Sequence, residues 1–246
     1  MLTYTRFASL WAKLGAQTDP KPVYANIVQR YCEPHRQYHT LEHIDFCLQR
    51  VDDLEWCLSD RRETIPIENK PEIGIRDLPV LEMIMIGHDH DYDLLRKDNE
   101  EQSAEHMNEY LREAGVTESI RSQVIEGILP TKPGSAVPQS VLALTAVDID
   151  IAIFGASPEI FDRYEANIEL EYSPEVIAKL TNIPLGTDAD RKTFETLFCA
   201  ERSHILKNYL DKEDIFNTRY FNAYYGTQAK SNLTRSLAKL KARLEK

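Results

Sequence analysis

Long apolar runs and closely paired cysteines are both missing from this 246-residue sequence. No window reaches about 18 consecutive apolar residues, so we expect no membrane-spanning helix. The first residues, MLTYTRFASLWAKL, lack the apolar run and the small-residue cleavage site of a secretory signal. The four cysteines include no CxxC pair, which favours reduced thiols over a disulfide framework or a zinc knuckle. Together these absences predict a soluble cytoplasmic protein.

Basic residues are also fewer than acidic ones, and the formal net charge is −11. This balance argues against a protein that grips nucleic-acid polymers or anionic membranes, although a metal-bearing cleft could still receive a phosphorylated small molecule. The sequence contains no GxGxxG motif, no P-loop and no lysine-rich clamp, so the group attached to any phosphate cannot be identified. A hydrophobic content of 42% and a charged content of 28% are typical of an ordinary globular protein.

The local patterns are almost entirely helical. Thr40 can cap a helix that has a regular apolar stripe, and Asp98 with Glu101 forms a capping box for a later one. Apolar residues cover every face of 80–92, as in a short buried helix or a buried strand, and its Leu, Met and Glu residues favour the helix. The apolar run 141–155 has the β-branched content of a strand, but its length and terminal glycine favour a second buried helix.

The C-terminal part continues the helical pattern. Residues 157–159 (Ser-Pro-Glu) are in the right order to begin a long helix, and two more helices are predicted at roughly 188–210 and 220–244. The basic amphipathic end, 233–246, is better explained as a solvated helix face than as a partner-binding helix, although it leaves room for a homodimer. No repeat or linker divides the chain, so we expect a single all-α domain over 1–246.

Acidic residues interrupt both apolar runs. The first contains 88-HDHD-91, and the second contains Asp148 and Asp150. An ionised carboxylate is costly to bury unless it is paired or bound to a cation. A divalent metal is an economical explanation, because imidazole and carboxylate ligands suit iron, manganese, zinc or magnesium. Alternatively, Asp89 and Asp91 simply end a helix while Asp148 caps one or pairs with an arginine.

Histidines in 35-HRQYHTLEHIDF-46 could complete such a site. His43 falls in the first turn of the helix capped by Thr40, and His39 precedes the cap, so the two need not share a face. Either could join a cluster of two histidines and two aspartates, leaving the other for a phosphate or a supporting contact. For the remaining three, His35, His106 and His204, a surface role is expected.

Five segments carry a resemblance to a known family: 31-YCEPHRQYHTLEHI-44, 88-HDHDY-92, 98-DNEEQSA-104, 148-DIDIAIFG-155 and 171-EY-172. The order His, then His-Asp, then Asp resembles the HD superfamily of metal-dependent phosphohydrolases. Within it, the sequence is similar to the family described as predicted metal-dependent HD phosphohydrolases. The similarity extends from Trp11 to about Leu237 and includes 215-IFNTRYFNAYYGTQAKSNL-233.

The resemblance implies a fold and a set of metal ligands. The fold would be an HD-domain-like helical bundle with its core at about 25–185 and additional C-terminal helices at 188–244. The implied metal ligands are His43, His88, Asp89 and one of the pair Asp148 and Asp150. Only one of the pair is expected to bind the metal, because residues at i and i+2 do not share a helix face. The metal would be Mn, Fe, Mg, Zn or Ni.

The resemblance also implies a reaction. A metal-activated water would hydrolyse a phosphoester, most naturally in a nucleotide or another small phosphorylated molecule. Glu100 would serve as acid or base, and His39 would contact a substrate oxygen or protonate the leaving oxygen. No nucleic-acid polymer and no membrane is implied as a partner.

Some positions depart from the family pattern, and they keep other functions open. Gly134 replaces a common histidine, Glu169 replaces a usual arginine, and Lys230 replaces another arginine. The rival interpretation is therefore a catalytically weakened HD-fold protein that binds metal or nucleotide in a regulatory role. A third is an oxygenase with two irons, in which His90 and His39 supply the additional ligands. A metal-free helical protein is the simplest alternative.

Overall fold

The computed structural model describes residues 1–59, 65–181 and 187–245. Within these ranges the chain is all-α and contains no strand, which confirms the predicted class. The α-helices are α1 (Tyr4–Lys13), α2 (Lys21–Tyr31), α3 (Leu41–Ser59), α4 (Leu78–Gly87), α5 (Asn99–Glu113), α6 (Glu118–Ile128), α7 (Val141–Asp150), α8 (Pro158–Glu171), α9 (Pro174–Thr181), α10 (Asp188–Leu210), α11 (Arg219–Phe221) and α12 (Thr227–Leu244). Short 3-10 turns lie at Ile67–Asn69, Leu129–Thr131 and Ile151–Gly155, and Asn222–Gly226 is π-helical.

The chain forms two compact units. The first comprises Met1–Ile151 together with Asn217–Tyr220, and the second comprises Ala152–Phe216 together with Phe221–Lys246. The expectation of a single domain over 1–246 stays a prediction. In the described ranges, no single helix combines the length and apolar character needed to cross a membrane.

Helix α4 is the central element of the first unit. All of its residues except Pro79 are buried, and it packs against α1, α3, α5, α6 and α7. Burial on every side explains the apolar pattern of 80–92, and the preference for a helix there is confirmed. The helix ends earlier than the apolar pattern does, at Gly87, so the charged 88–91 segment follows it as a turn.

Several predicted boundaries need correction. Asp98 lies at the start of α5 but makes no capping hydrogen bond there, because its carboxylate pairs with Arg96 (2.7 Å) and Glu101 pairs with Lys132 (2.5 Å). The predicted helix over 141–155 is α-helical only as far as Asp150 and then tightens into a 3-10 helix. Helix α9 was not predicted.

The second unit is built on the packing of α10 against α12. Asn232 on α12 ties these helices to the start of the unit, because its side-chain amide donates to the carbonyls of Phe154 (2.8 Å) and Ala156 (2.9 Å). Thr187 and Asp190 form a reciprocal capping box at the N-terminus of α10. The predicted C-terminal helices are therefore present, with the one at 220–244 interrupted by the π-helical turn.

Candidate metal centre

Three segments of the first unit carry the predicted ligands. The Thr40 hydroxyl accepts a hydrogen bond from the backbone N–H of Glu42 (3.3 Å) at the start of α3, which places His43 in the first turn. His88 follows Gly87, where a Cβ would lie only 2.4 Å from Met107 Cγ, so glycine permits the close packing of α4 on α5 just before the ligand. The third segment is the last turn of α7.

The donor atoms of His43, His88, Asp89 and Asp150 face one another. The Nε2 atoms of the two histidines lie 3.1 Å apart. Asp150 Oδ1 lies 3.2 Å from His43 Nε2 and 3.4 Å from His88 Nε2. Asp89 Oδ2 lies 3.0 Å from His88 Nε2 and 3.5 Å from His43 Nε2. The imidazoles are buried, whereas the Asp89 and Asp150 side chains are 13% and 23% exposed, so solvent reaches the cluster at the carboxylates.

The spacing of these atoms suits a shared cation. An ion bound through ligand bonds of about 2.0 to 2.2 Å would separate neighbouring donor atoms by roughly 2.8 to 3.6 Å. The separations among His43, His88 and Asp150, from 3.1 to 3.4 Å, fall in that range, and Asp89 Oδ2 lies at 3.0 and 3.5 Å from the two imidazoles. Across the described ranges, the buried Asp89 Oδ2 atom accepts no hydrogen bond of suitable geometry. The groups nearest to this oxygen are the imidazoles of His88 and His43, and imidazole nitrogens beside carboxylate oxygens are a donor set that fits a divalent metal.

The pKa values show strong coupling within the cluster. Burial lowers the pKa of His88, but the neighbouring Asp89 and Asp150 carboxylates more than reverse this and hold the pKa well above its ordinary value. Burial lowers the pKa of His43, and the nearby Asp150 opposes that effect only in part. Burial would raise the pKa of Asp89, yet His88 and His39 hold it far below its usual range. The carboxylates thus favour positive charge at His88, and a metal bound at the same donors would supply that charge in place of a proton.

The two aspartates of α7 have separate roles. Asp150 reaches the histidines, whereas Asp148 Oδ1 accepts hydrogen bonds from the Asn217 N–H (2.7 Å) and side-chain amide (2.8 Å). Asp148 Oδ2 accepts bonds from the N–H and hydroxyl of Thr218, each at 2.7 Å. Of the alternatives left open by the sequence, the structure thus brings Asp150, and not Asp148, to the cluster.

His39 and Glu100, the two predicted catalytic residues, both interact electrostatically with Asp89. The His39 ring stacks on Tyr92 with 4.0 Å between centroids and lies 5.9 Å from the His43 ring. Glu100 is in the first turn of α5 and half-buried. Burial raises the pKa of Glu100, and the negative charge of Asp89 adds to the increase. Both side chains are therefore within electrostatic range of the cluster without being part of it.

A second group of three, His90, Asp91 and His106, also has donor atoms close together. Asp91 Oδ2 lies 2.8 Å from His90 Nδ1 and 2.5 Å from His106 Nδ1, and the shorter separation is a hydrogen-bond length below the spacing between ligands of one ion. Arg30 Nη2 lies 3.4 Å from the other Asp91 oxygen. His90 Nε2 faces Asn26 Oδ1 (3.0 Å). This hydrogen-bonded group braces the 88–91 turn against α2 and α5.

The bracing group corrects two expectations. His90 is directed to Asp91 and Asn26, so the structure does not bring it to His39 as the two-iron interpretation requires. His106 was expected to be a surface residue of no consequence, yet it contacts Asp91. His204 is exposed beside Asn208, and His35 lies 2.8 Å from the Tyr92 carbonyl, away from the candidate ligands.

Arg36 is the important neighbour that sequence reasoning missed. Its guanidinium is buried and donates to the backbone carbonyls of His39, in the loop before His43, and of Asp89. The sequence did show one arginine inside the histidine-rich segment 35–46. Helical periodicity does not apply to an irregular loop, however, so it could not predict that this side chain is buried. The contacts of Asp148 with Asn217 and Thr218 could not be predicted from the sequence either, because they join residues distant in the chain.

Comparison with known proteins finds no matching family model, no similar curated protein and no similar solved structure. The arrangement of the candidate ligands is therefore the main basis for a functional proposal.

Proposed function

We propose that this protein is a metal-dependent phosphohydrolase that acts on a phosphoester in a nucleotide or another small phosphorylated molecule. The observation that supports the proposal is the convergence of the donor atoms of His43, His88 and Asp150, with the Asp89 carboxylate against both imidazoles. The order of these residues along the chain matches the HD pattern that the sequence resembles. An intact ligand set at a partly solvent-accessible cluster is what such chemistry requires.

The donor set narrows the choice of metal. Two imidazoles and two carboxylates suit Mn, Fe, Ni or Zn better than Mg, which prefers oxygen ligands and retains several waters. When bound at these residues, the metal supplies Lewis acidity, lowering the pKa of a coordinated water and neutralising charge on phosphoryl oxygens.

The remaining chemistry belongs to side chains beside the ligands. Glu100 is half-buried and its pKa is raised, first by burial, so its carboxyl group can exchange a proton at a pH closer to neutrality than an exposed glutamate can. His39 is held by its stack on Tyr92 and can donate a hydrogen bond to a substrate oxygen or a proton to the leaving oxygen. The proposal thus assigns proton transfer to Glu100 and substrate contact to His39.

Elemental analysis followed by a substrate screen tests the proposal. We expect the purified protein to contain about one transition-metal ion per chain, as four ligands around one ion imply. With added Mn²⁺ it should hydrolyse a generic phosphoester or one of a panel of nucleotides, and Asp150→Asn should abolish both metal content and turnover. A well-folded wild-type protein with neither metal nor turnover would contradict the proposal.

A regulatory binding protein is the second candidate, because of Glu169. This residue replaces the usual arginine of the resembled family. Its carboxylate accepts two hydrogen bonds from Arg243, at 2.7 and 2.9 Å. The position therefore offers no positive charge to a phosphate. Thermal stabilisation by metal and nucleotide without product formation would favour this candidate, because binding alone raises stability by mass action.

A further inference from the structure

Arg36 lies between the loop that precedes His43 and the turn that carries His88 and Asp89. The loop is the 33–40 segment, and the turn is 88–91. The Arg36 guanidinium is completely shielded from solvent, although the residue belongs to neither a helix nor the predicted ligand set. A buried cation is costly unless its donors are satisfied, so its contacts indicate what it does.

Its donors converge on main-chain carbonyls. Nη1 donates to the carbonyl of Asp89 at 2.6 Å, and Nη2 donates to the carbonyl of His90 at 2.9 Å. Nη1 also lies 3.3 Å from the carbonyl of His39. The planar fork of one arginine therefore joins the backbone of a ligand residue to the backbone of the loop that precedes His43.

The remaining contacts hold the guanidinium in place. Arg36 Nε donates to Glu33 Oε2 at 3.1 Å, which balances its charge locally. The Tyr31 and Tyr92 rings lie against it, with 5.1 and 5.5 Å from the guanidinium carbon to the ring centroids. Because Glu33 compensates the charge, the effect of Arg36 on the cluster is mainly geometric rather than electrostatic.

The position of Asp89 shows why this geometry matters. Its carbonyl is fixed by Arg36, and its carboxylate Oδ2 is left facing His88 at 3.0 Å. Without the Arg36 guanidinium, the Asp89 backbone would lose its hydrogen-bonded link to the His39 backbone. The donor atoms would then no longer be held at the spacing of one ion. Outer contacts of this kind usually affect metal affinity strongly.

We infer that Arg36 is a positioning residue that sets metal affinity by fixing the Asp89 backbone against the loop leading to His43. The inference rests on the proposed function, because it assumes that the cluster binds a metal. Arg36 makes no contact with the donor atoms themselves and is not assigned to the reaction. A lysine could keep the charge but could not span the three carbonyls.

Cobalt binding tests the inference, because Co²⁺ has a visible spectrum that reports its ligand geometry. Chelator-treated full-length protein would be titrated with Co²⁺ for the wild type, Arg36→Met and Arg36→Lys. We expect affinity to fall by about 10- to 100-fold in Arg36→Met, as is typical when a supporting contact is lost. Arg36→Lys should remain folded, bind more weakly than the wild type and show an altered Co²⁺ spectrum.

Arg6→Met is the matched control. Arg6 is a partly buried arginine of the first unit, and its guanidinium joins Glu82 on α4 (2.5 Å) to Asp52 on α3 (2.7 Å). Its removal should lower the melting temperature and leave Co²⁺ affinity and spectrum unchanged. In Arg36→Ala, millimolar guanidinium should restore Co²⁺ affinity by entering the vacated space, which a general loss of stability would not permit.

The outcomes separate the two proposals. Wild-type protein that binds no Co²⁺ would overturn the metal site itself. Wild-type protein that binds Co²⁺ while Arg36→Lys binds it with the same affinity and spectrum would overturn only the role of Arg36. If Arg36→Met does not fold, Arg36→Lys and the guanidinium rescue still decide the question.

Discussion

Asp148 and Asp150 lie two residues apart on α7, yet their carboxylates serve different partners. Asp150 Oδ1 lies 3.2 Å from His43 Nε2, whereas both oxygens of Asp148 accept hydrogen bonds from Asn217 and Thr218. A separation of two residues turns side chains to different faces of a helix, so one short acidic pair supplies both a candidate ligand and a structural anchor.

Asparagine substitutions should separate these two roles. Asp150→Asn should lose metal, and the metal-free protein should also lose some stability, because the substitution removes a carboxylate that pairs with His43 and His88. Asp148→Asn should keep metal and lose about 1 to 3 kcal/mol of unfolding free energy, because one of the two acceptor oxygens that bind Asn217 and the buried Thr218 becomes an NH₂ donor. Metal analysis and urea unfolding measure both quantities. Loss of metal in Asp148→Asn with unchanged stability would reverse the assignment.

The sequence predicted the composition of the cluster better than its surroundings. Acids within apolar runs are costly to bury, so 88–91 and 148–150 could be recognised as places where something positive is needed. Periodicity also placed α4 and α7, because helices buried on all sides are apolar on all faces. The choice between Asp148 and Asp150 depended on hydrogen bonds to residues about seventy positions away, which no local pattern encodes.

Side-chain direction in irregular segments was the other limit. Arg36 and His90 lie where the chain has no repeating geometry, so neither the burial of the first nor the partners of the second could be inferred. The capping box expected at Asp98 failed for a related reason, because Arg96 and Lys132 compete for the two acidic side chains. Local motifs are reliable only when no nearby charge offers a better partner.

Replacement of Glu100 by glutamine should change the pH dependence of hydrolysis. Burial raises the pKa of Glu100 above its ordinary value of 4.5. If the ionised form is the base, kcat/KM of the wild type should rise as pH passes through that raised pKa. Glu100→Gln should lose this limb and about 10²- to 10⁴-fold of activity while retaining metal. Glu101→Gln, an exposed neighbour on the same helix, is the control.

Glu100→Gln should also change stability: the variant is expected to lose activity but to gain stability. A raised carboxyl pKa means that the folded state binds more protons than the unfolded chain, so this contribution to stability is present below 4.5 and is lost as pH rises through the folded pKa. Glu100→Gln removes the penalty and should be slightly more stable than the wild type at neutral pH. A variant that is less stable and equally active would contradict the assigned role.

Substitution of His90 should lower stability without changing metal content. His90 contacts Asp91 at 2.8 Å and Asn26 at 3.0 Å, and none of these contacts involves the candidate ligands. His90→Ala should therefore cost about 1 to 3 kcal/mol, because it removes a buried side chain that hydrogen-bonds to both Asp91 and Asn26. His106→Ala, at a more exposed position, should cost less. A halved metal content in His90→Ala would instead support the two-iron interpretation.

Removal of the metal should lower the melting temperature of the whole-chain protein. A ligand present at about 100 times its Kd stabilises the folded state by about 2.7 kcal/mol, and for chains of this size each kcal/mol shifts Tm by roughly 2 to 4 °C. Addition of Mn²⁺ to chelator-treated protein should therefore raise Tm by about 5 to 10 °C, measured by calorimetry. Asp150→Asn should show almost none of this shift, because one of the four donors has lost its charge. An equal shift in both proteins would place the bound Mn²⁺ elsewhere and remove the main support for the metal centre.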